Sequence, residues 1–417
     1  MIDTHLQLSH IISAPHHMTP STGAPRPERV AAVDTLRGVA LLGMLVVHFQ
    51  YYAEGPAIWG QRVEMLDAFL FTARFYALFA FLFGVGFALQ FERAGDRPGF
   101  VQIYIRRLLA LAAFAVLILV FTGYRVLADY AFWGFALLLI RRWSTRALVA
   151  VAIGIILLGP IVNGVRWQIE KRTIGLEASN AVLKQEMQRW PTYNREEREL
   201  QKRGDFGALV AYRLKFAGGA YLRWQRYIPG GDCLMFVLGL LAVRTGVLRR
   251  PREHRRLLWT VAIAGIVLGL AGMVAPPLGA RFAGESLRLR MAWNALQWSI
   301  LSDMFQGVAY GAAIVLWISR TPVLPRPAAL LALAGRLSLT NYVVQICFLE
   351  FTFGVRTTIS RPAALLGAVV FFAFQIAYSG WWLKRYRMGP LEWLWRSVTY
   401  WRLEPLRVQP SSDVVAV

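Results

Sequence analysis

The chain has 417 residues, of which 56% are hydrophobic and only 17% are charged, and its mean hydropathy is +0.44. A soluble domain carries about 25% charged residues, so this composition argues against a soluble enzyme and excludes a disordered chain. The net charge is +22, but the basic residues stand in short clusters between apolar segments. That pattern is typical of a multi-pass membrane protein and not of a nucleic-acid partner. The two cysteines lie in apolar segments, and no motif indicates a metal.

Ten apolar segments are long enough to predict membrane helices, which need about 20 residues each. They are residues 37–53, 66–90, 107–123, 126–140, 146–165, 232–248, 257–275, 294–318, 328–351 and 363–383. We therefore expect an all-α polytopic membrane protein, a bundle of about ten transmembrane helices with a polar extracytoplasmic insertion.

Arginine and lysine clusters follow every second apolar segment, at 91–107, 141–146, 249–256 and 384–387. Cationic loops stay on the cytoplasmic side, so both termini are predicted to lie there, and the lipid bilayer is the expected partner. The exception is 166–229, which we interpret as two polar helices broken at Pro191, either a mobile extracytoplasmic lid or a plain linker.

These assignments divide the chain into five parts. They are a disordered tail (1–28), transmembrane helices one to five (29–165), the polar extracytoplasmic insertion (166–229), transmembrane helices six to ten (230–388), and an interfacial helix with a C-terminal tail (389–417).

The first apolar helix carries Asp34, Arg37 and His48 on one face. Asp34 and Arg37 precede His48 by 14 and 11 residues, and at 100° per residue these spacings place them about 40° and about 20° from His48 around the helix axis. Polar groups inside a membrane helix are candidates for function. The alternative is that His48 only makes a hydrogen bond within the bundle or lies at the membrane interface.

Further charged residues fall inside the predicted membrane helices. Arg74 is about two turns into the second one, where it could hold a phosphate or carboxylate, or form an internal salt bridge with Asp67 seven residues earlier. Asp129, Asp303 and Glu350 are embedded carboxylates. Any of the three could act as a base or orient His48, and the sequence does not choose among them.

The ninth segment places Asn341 and Gln345 four residues apart, on one helical face. Hydrogen bonds between helices are the ordinary role of such amides. Together with Tyr342, which could orient a substrate, they form a candidate substrate-binding group.

Four blocks of sequence resemble the YeiB-like family of bacterial membrane proteins, which is defined by a domain of unknown function in its C-terminal half. The blocks are Asp34–Gly38, Arg74–Gly86, Gly335–Tyr342 and Gly389–Arg396, and the resemblance runs from about residue 30 to residue 403. The last two blocks are the more specific ones.

The Asp-Thr-x-Arg-Gly opening is also similar to the heparan-α-glucosaminide N-acetyltransferase group of transmembrane acyltransferases. That resemblance implies transfer of an acyl group from acyl-CoA by a membrane-embedded histidine. Asp34, Arg37 and Gly38 match the shared opening, and His48 stands where such relatives tend to have a histidine. Many YeiB-like members have asparagine there. Arg125 departs from the pattern, where an acidic residue is more usual.

The resulting hypothesis is an acyltransferase of the bacterial cytoplasmic (inner) membrane, as the resemblance implies, that uses acyl-CoA as co-substrate and holds no permanent cofactor. Its acceptor would be the hydroxyl or amine of an extracytoplasmic glycan, lipid or metabolite. The expected roles are His48 as general base or acyl carrier, Asp34 as a second catalytic group, and Arg37, Arg74, Arg106 and Arg107 as phosphate-binding groups. A transporter or lipid-handling protein without catalysis, and a structural partner, are the alternatives; the sequence leaves open whether the chain forms a homodimer.

Overall fold

The structure is a computed structural model that describes residues 31–53, 69–71, 73–95, 98–221, 230–282, 286–287, 302–354 and 359–408. These residues form fourteen helices and no strand beyond isolated bridges. The helices are α1 (Ala31–Tyr51), α2 (Arg74–Ala94), α3 (Phe100–Thr122), α4 (Val126–Ile140), α5 (Thr145–Thr173), α6 (Gly175–Arg203), α7 (Phe206–Tyr221), α8 (Gly231–Arg244), α9 (Arg255–Phe282), α10 (Asp303–Ile318), α11 (Arg326–Arg336), α12 (Ser338–Phe353), α13 (Arg361–Leu383) and α14 (Pro390–Tyr400). The predicted tail at 1–28 and Asp67 lie outside the described residues.

Six of the described helices are long and apolar enough to cross a membrane, namely α1, α2, α3, α5, α9 and α13. A seventh span results if the bent pair α11 and α12 is taken as one. Each of the ten predicted segments overlaps a helix, but α4, α8 and α10 have only 14 to 16 residues. The all-α membrane architecture is confirmed, whereas the count of ten spans stays a prediction.

Large apolar side chains are exposed on the outward faces of the long helices. Examples are Leu117 on α3, Ile153 on α5, Val267 on α9 and Val370 on α13. Contiguous apolar surface of this kind would aggregate in water, so it marks the surface that contacts lipid. The most enclosed helix is α1, which packs against α11, α13, α2 and α12.

The crossing of α1 and α11 depends on two glycines that face each other's backbone. A Cβ atom at Gly38 would overlap the carbonyl oxygen of Leu331, and a Cβ atom at Gly335 would overlap that of Asp34. The Thr35 hydroxyl donates to the Ala328 carbonyl oxygen at 3.1 Å across the same contact. Small residues allow membrane helices to approach this closely.

A second reciprocal crossing joins α2 to α8. Here a Cβ atom at Gly84 would overlap the carbonyl oxygen of Phe236, and one at Gly239 would overlap that of Phe81. The second crossing thus fixes α2 against α8, the sixth predicted span, in the way that the first fixes α1 against α11. Gly38 and Gly84, which fall in the two N-terminal sequence blocks, lie inside helices and serve close packing and not a turn.

The predicted ninth span at 328–351 is two helices, α11 and α12, which meet at an angle of 78°. The break falls at Leu337. Glu392, in the first turn of α14, accepts hydrogen bonds from the Leu339 and Thr340 backbone amides and from the Thr340 hydroxyl, at 2.7, 3.2 and 2.5 Å. A carboxylate on these amides caps the new helix and complements its dipole, which stabilises the break.

The polar insertion differs from the prediction of two helices broken at Pro191. Helix α5 continues to Thr173, and α6 runs through Pro191 without ending. The breaks lie instead at Gly175 and Gly204, which both adopt positive φ angles that favour glycine. Helix α6 packs against α7, and α7 packs against α3. We call the α6–α7 pair the cap.

The α1–α11 crossing gives a direct test of this packing. Gly38→Ala should destabilise the protein by about 1–3 kcal/mol, because the added methyl group has no space beside Leu331. The measurement is the thermal unfolding midpoint of purified protein in detergent. The matched control is Gly154→Ala on α5, where an added Cβ meets nothing within 4 Å and where alanine should hold or raise stability. Equal midpoints for the two variants would contradict the crossing.

Candidate functional site

Helix α1 carries three of the predicted site residues and distributes them between its two ends. Asp34 and Arg37 lie in its first two turns, and His48 lies in its last turn. The spacing of eleven residues from Arg37 to His48 separates them by about 17 Å along the axis. We call the two regions the Arg37 end and the His48 end.

The imidazole of His48 is held between two tyrosine rings. It meets Tyr124 edge to face at 5.1 Å between ring centroids and lies 6.5 Å from Tyr342. Its Nδ1 atom is enclosed and has no hydrogen-bond partner among the described residues. A ring nitrogen in this state can take up a proton or attack a carbonyl, because no neighbouring group occupies it.

Tyr342 borders the same space as His48. Its hydroxyl is also enclosed and lacks a partner in the described part of the chain. Its ring stacks on Phe79 at 6.3 Å, and Phe79 stacks on Tyr130 at 6.1 Å. Buried polar groups are nearly always hydrogen-bonded, so two unpartnered groups on side chains whose ring centroids lie 6.5 Å apart are candidates to bind a polar ligand.

Behind Tyr124 a polar chain leads to Glu350. The Tyr124 and Tyr52 side chains lie close enough to interact, and the Tyr52 hydroxyl donates to Glu350 Oε2 at 3.1 Å. Of the three embedded carboxylates singled out from the sequence, Glu350 is thus linked to the neighbours of His48. Sequence reasoning missed Tyr52, although it follows His48 by four residues, and it missed Tyr124, because no local spacing relates that residue to His48.

The cap also contacts Glu350. Glu350 Oε1 accepts hydrogen bonds from Gln201 Nε2 and from Arg213 Nη2, each at 2.7 Å. The cap therefore packs on the His48 end of the bundle, over Tyr52 and Glu350.

At the Arg37 end, Arg37 donates to Asp34 Oδ1 at 3.3 Å. Its Nη2 atom lies 3.5 Å from the position of a Cβ at Gly86, so the guanidinium lies against α2. Asp34 stands about 21 Å along α1 from His48. This geometry favours a role for Asp34 in holding Arg37 over direct catalysis beside His48.

Arg107 joins this end from α3. Its guanidinium lies 3.7 Å from the ring centroid of Trp395 on α14, and Arg37 and Arg396 are close enough to repel its charge. Asp34 pairs with Arg37, whereas Arg107 has no carboxylate partner among the residues that the structure describes. An excess positive charge therefore rests on Arg107.

The neighbouring Arg396 is neutralised by Glu404, which accepts its hydrogen bond at 3.1 Å and that of Arg402 at 2.8 Å. Burial acts to raise the pKa of Glu404, but the hydrogen bond from Arg402 and the charge of Arg396 outweigh it and lower this pKa below its usual range. Glu404 thus stays ionised. The side chain of Arg106, the remaining predicted phosphate ligand on α3, is exposed, and its role stays a prediction.

Arg74 is the first residue of α2, not two turns inside it, and it is only 2% exposed. Its guanidinium forms a 3.0 Å ion pair with Asp303 and donates to Gln306 Oε1 at 3.1 Å. The sequence left two roles open for Arg74, anion binding and an internal salt bridge. Arg74 forms an internal salt bridge between α2 and α10, and its partner is Asp303. The predicted role of Arg74 in phosphate binding stays a prediction.

Asn341 and Gln345 form hydrogen bonds between helices. Asn341 Nδ2 donates to the Ala334 carbonyl oxygen at 3.0 Å and to Ser379 Oγ at 3.1 Å, and Gln345 Nε2 donates to Gln375 Oε1 at 2.7 Å. These contacts join α12 to α11 and α13. They favour a structural role for both amides over substrate binding, and of this group only Tyr342 borders His48.

Two family models match separate parts of the chain. Residues 29–188 match the one described as heparan-alpha-glucosaminide N-acetyltransferase, catalytic, and residues 242–402 match the one described as a protein of unknown function (DUF418). His48 and Tyr124 fall in the first region, and Tyr342 and Glu350 fall in the second. The site at the His48 end is therefore built from both matched regions.

Relatives align with most of the chain. The uncharacterized protein YxaH of Bacillus subtilis (strain 168) is 28% identical over an alignment of 419 positions, and this alignment covers 91% of this chain and 96% of YxaH. The uncharacterized protein YeiB of Escherichia coli (strain K12) is 26% identical over 409 residues, which cover 89% and 96%. No solved structure matches the chain.

These matches confirm the resemblance to YeiB-like proteins that the four sequence blocks predicted. The N-terminal match links the chain to a family of membrane acyltransferases. The bacterial relatives and the span-length helices agree with a multi-pass membrane protein of bacteria.

Proposed function

We propose that this YeiB-like chain is a membrane acyltransferase that moves an acyl group, with acetyl the expected one, from acyl-CoA to an acceptor hydroxyl or amine. The observation that carries the proposal is that the Nδ1 atom of His48 and the hydroxyl of Tyr342, on rings with centroids 6.5 Å apart, both lack a hydrogen-bond partner among the described residues. The match to an acetyltransferase catalytic region over residues 29–188 supports the same reaction class.

The Arg37 end is the proposed site for the phosphates of CoA. Arg107 and Arg37 supply cationic donors, and charge-assisted hydrogen bonds to phosphate are among the strong ones. The Tyr104 hydroxyl, one turn before Arg107, is enclosed and has no partner among the described residues, so it offers a further polar contact. The acyl thioester ends a long flexible pantetheine arm, which bridges the distance from these arginines toward His48.

At the His48 end, the imidazole accepts the proton of the acceptor hydroxyl or amine while that group attacks the thioester carbonyl. The carbon–sulfur bond breaks, and the imidazolium returns the proton to the CoA thiolate. In the covalent variant His48 itself takes the acyl group, releases CoA, and passes the acyl group to the acceptor. Tyr342 donates to the carbonyl oxygen as negative charge develops there.

The membrane placement that suits this reaction has ten spans, with the short helices α4, α8 and α10 among them. Both termini and the Arg37 end then face the cytoplasm, where acyl-CoA is found, and the cap faces the outside. The acceptor is thus an extracytoplasmic glycan, lipid or metabolite.

This placement can be tested by cysteine labelling in a variant without Cys233 and Cys347. Arg195→Cys, on the exposed face of α6, should react with a membrane-impermeant maleimide in intact cells. Arg142→Cys, in the turn between α4 and α5, should react only after the membrane is opened. The reverse pattern would overturn the orientation.

Replacement of the histidine tests the chemistry. His48→Ala should lower acyl transfer by about 10²–10⁴-fold, the usual contribution of a positioned acid–base group, while the protein still folds and inserts. The assay is transfer of labelled acetyl from acetyl-CoA by purified protein in liposomes that contain acceptor pools extracted from the host. His254→Ala, before α9, is the control and should keep full activity. Full activity of His48→Ala would eliminate the histidine mechanism.

Loss of Arg107 should act on binding. Arg107→Ala should weaken acetyl-CoA affinity by about 1.5–3 kcal/mol, because a charge-assisted hydrogen bond is lost, with a smaller effect on turnover. Isothermal titration in nanodiscs gives the affinity directly. Arg93→Ala, an exposed arginine at the C-terminal end of α2, is the control. If the unaltered protein binds no acyl-CoA, the transporter alternative replaces the enzyme.

A further inference from the structure

Arg213 is the most enclosed charged residue of the cap, with 1% of its side chain exposed. Its three kinds of guanidinium nitrogen are directed to three different elements. Nε donates to Glu197 Oε1 on α6 at 2.6 Å, Nη2 to Glu350 on α12 at 2.7 Å, and Nη1 to the Val120 carbonyl oxygen in the last turn of α3 at 2.9 Å.

An arginine buried in this way requires all of its partners. Removing a charge from water is unfavourable unless partners compensate it, and a guanidinium is suited to several fixed donors at once. A spacer between two membrane helices has no need for such a residue. The arrangement instead ties the cap to two bundle helices at the point where both approach His48.

The contacts of Arg213 continue without interruption to the imidazole. Glu350 accepts a hydrogen bond from Tyr52, the Tyr52 and Tyr124 side chains lie close enough to interact, and the Tyr124 ring meets the His48 ring. The cap also touches the turn that carries Tyr124. A Cβ at Gly123, which has a φ of 74°, would lie 2.6 Å from Glu197 Oε1 and 3.4 Å from Arg213 Nε.

We propose that Arg213 and Glu350 are positioning residues through which the cap sets the orientation of Tyr124 and hence of His48. The docked cap holds the tyrosine edge against the imidazole. When the Arg213–Glu350 contact is lost, Tyr124 is released and the exposure and reactivity of His48 change. A change in acyl transfer is the final consequence of the altered His48, and this consequence alone rests on the function proposed above.

The first measurement does not require acyl transfer. Diethyl pyrocarbonate modifies unprotonated imidazole, and mass spectrometry of the peptide that contains residue 48 gives the modification rate of His48 alone. Arg213→Gln and Tyr52→Phe should each change this rate by at least about twofold, as expected for residues coupled in one hydrogen-bonded network. Tyr52→Phe removes one hydroxyl oxygen and keeps the ring, so it tests the chain with little risk to folding.

The control is Lys202→Ala, which breaks an exposed cap ion pair with Glu199 and should leave the rate unchanged. A second readout separates positioning from structural support. In acyl-transfer assays Arg213→Gln and Tyr52→Phe should lower kcat with acetyl-CoA affinity unchanged, because the Arg37 end is untouched. Arg213→Lys should not restore kcat, since one ammonium group cannot reproduce three diverging bonds.

An unchanged His48 rate in Tyr52→Phe would overturn the proposal, even if Arg213→Gln unfolds or loses the cap. If the His48 modification rate changes in a protein that transfers no acyl group, the positioning roles of Arg213 and Glu350 are supported and the proposed acyltransferase function is refuted. The two proposals can therefore fail separately.

Discussion

The close contact between α1 and α11 is the constraint on which the arrangement of the site depends. It exists because Gly38 and Gly335 each leave the space that the other helix's backbone occupies. Once this contact is made, the Asp34–Arg37 pair is fixed beside the start of α12. The glycines of two separate sequence blocks thus act as one structural unit, and this gives a physical reason for glycine at both positions.

The bend between α11 and α12 places residues of α12 at the His48 end of the site. A straight helix from 326 to 353 could not both cross α1 closely and then follow it to its far end. The break at Leu337, capped by Glu392, lets α12 run beside α1, so that Tyr342 lies near His48 and Glu350 near Tyr52. The capping carboxylate belongs to α14, which also presents Trp395 to Arg107. The short helix α14 therefore supports the Arg37 end through Trp395 and the His48 end through Glu392, which caps the start of α12.

Local pattern was sufficient to predict the helices and the shared face of α1, because hydropathy and a period of 3.6 residues are properties of a single segment. It could not predict the 78° bend at Leu337, since that bend is stabilised by Glu392 more than fifty residues away. Proline alone suggested a break at Pro191, yet the helix continues there and ends at Gly204. Tyr124 escaped notice for the same reason as Glu392, because its importance lies in contacts between distant segments.

A rigid helix that carries both ends of the site suits a reaction whose two substrates come from opposite sides of a membrane. The spacing of Arg37 and His48 is fixed by α1 itself, so it does not vary with motions of the loops. Acyl thioesters also react with water, and water at the imidazole would compete with the acceptor. The cap, Tyr52 and Tyr124 lie over the His48 end, and the guanidinium that joins them is almost fully enclosed. Under the proposed function, the residues that hold the cap in place thus also limit the access of water to His48, which links the orientation of the imidazole to the protection of the thioester.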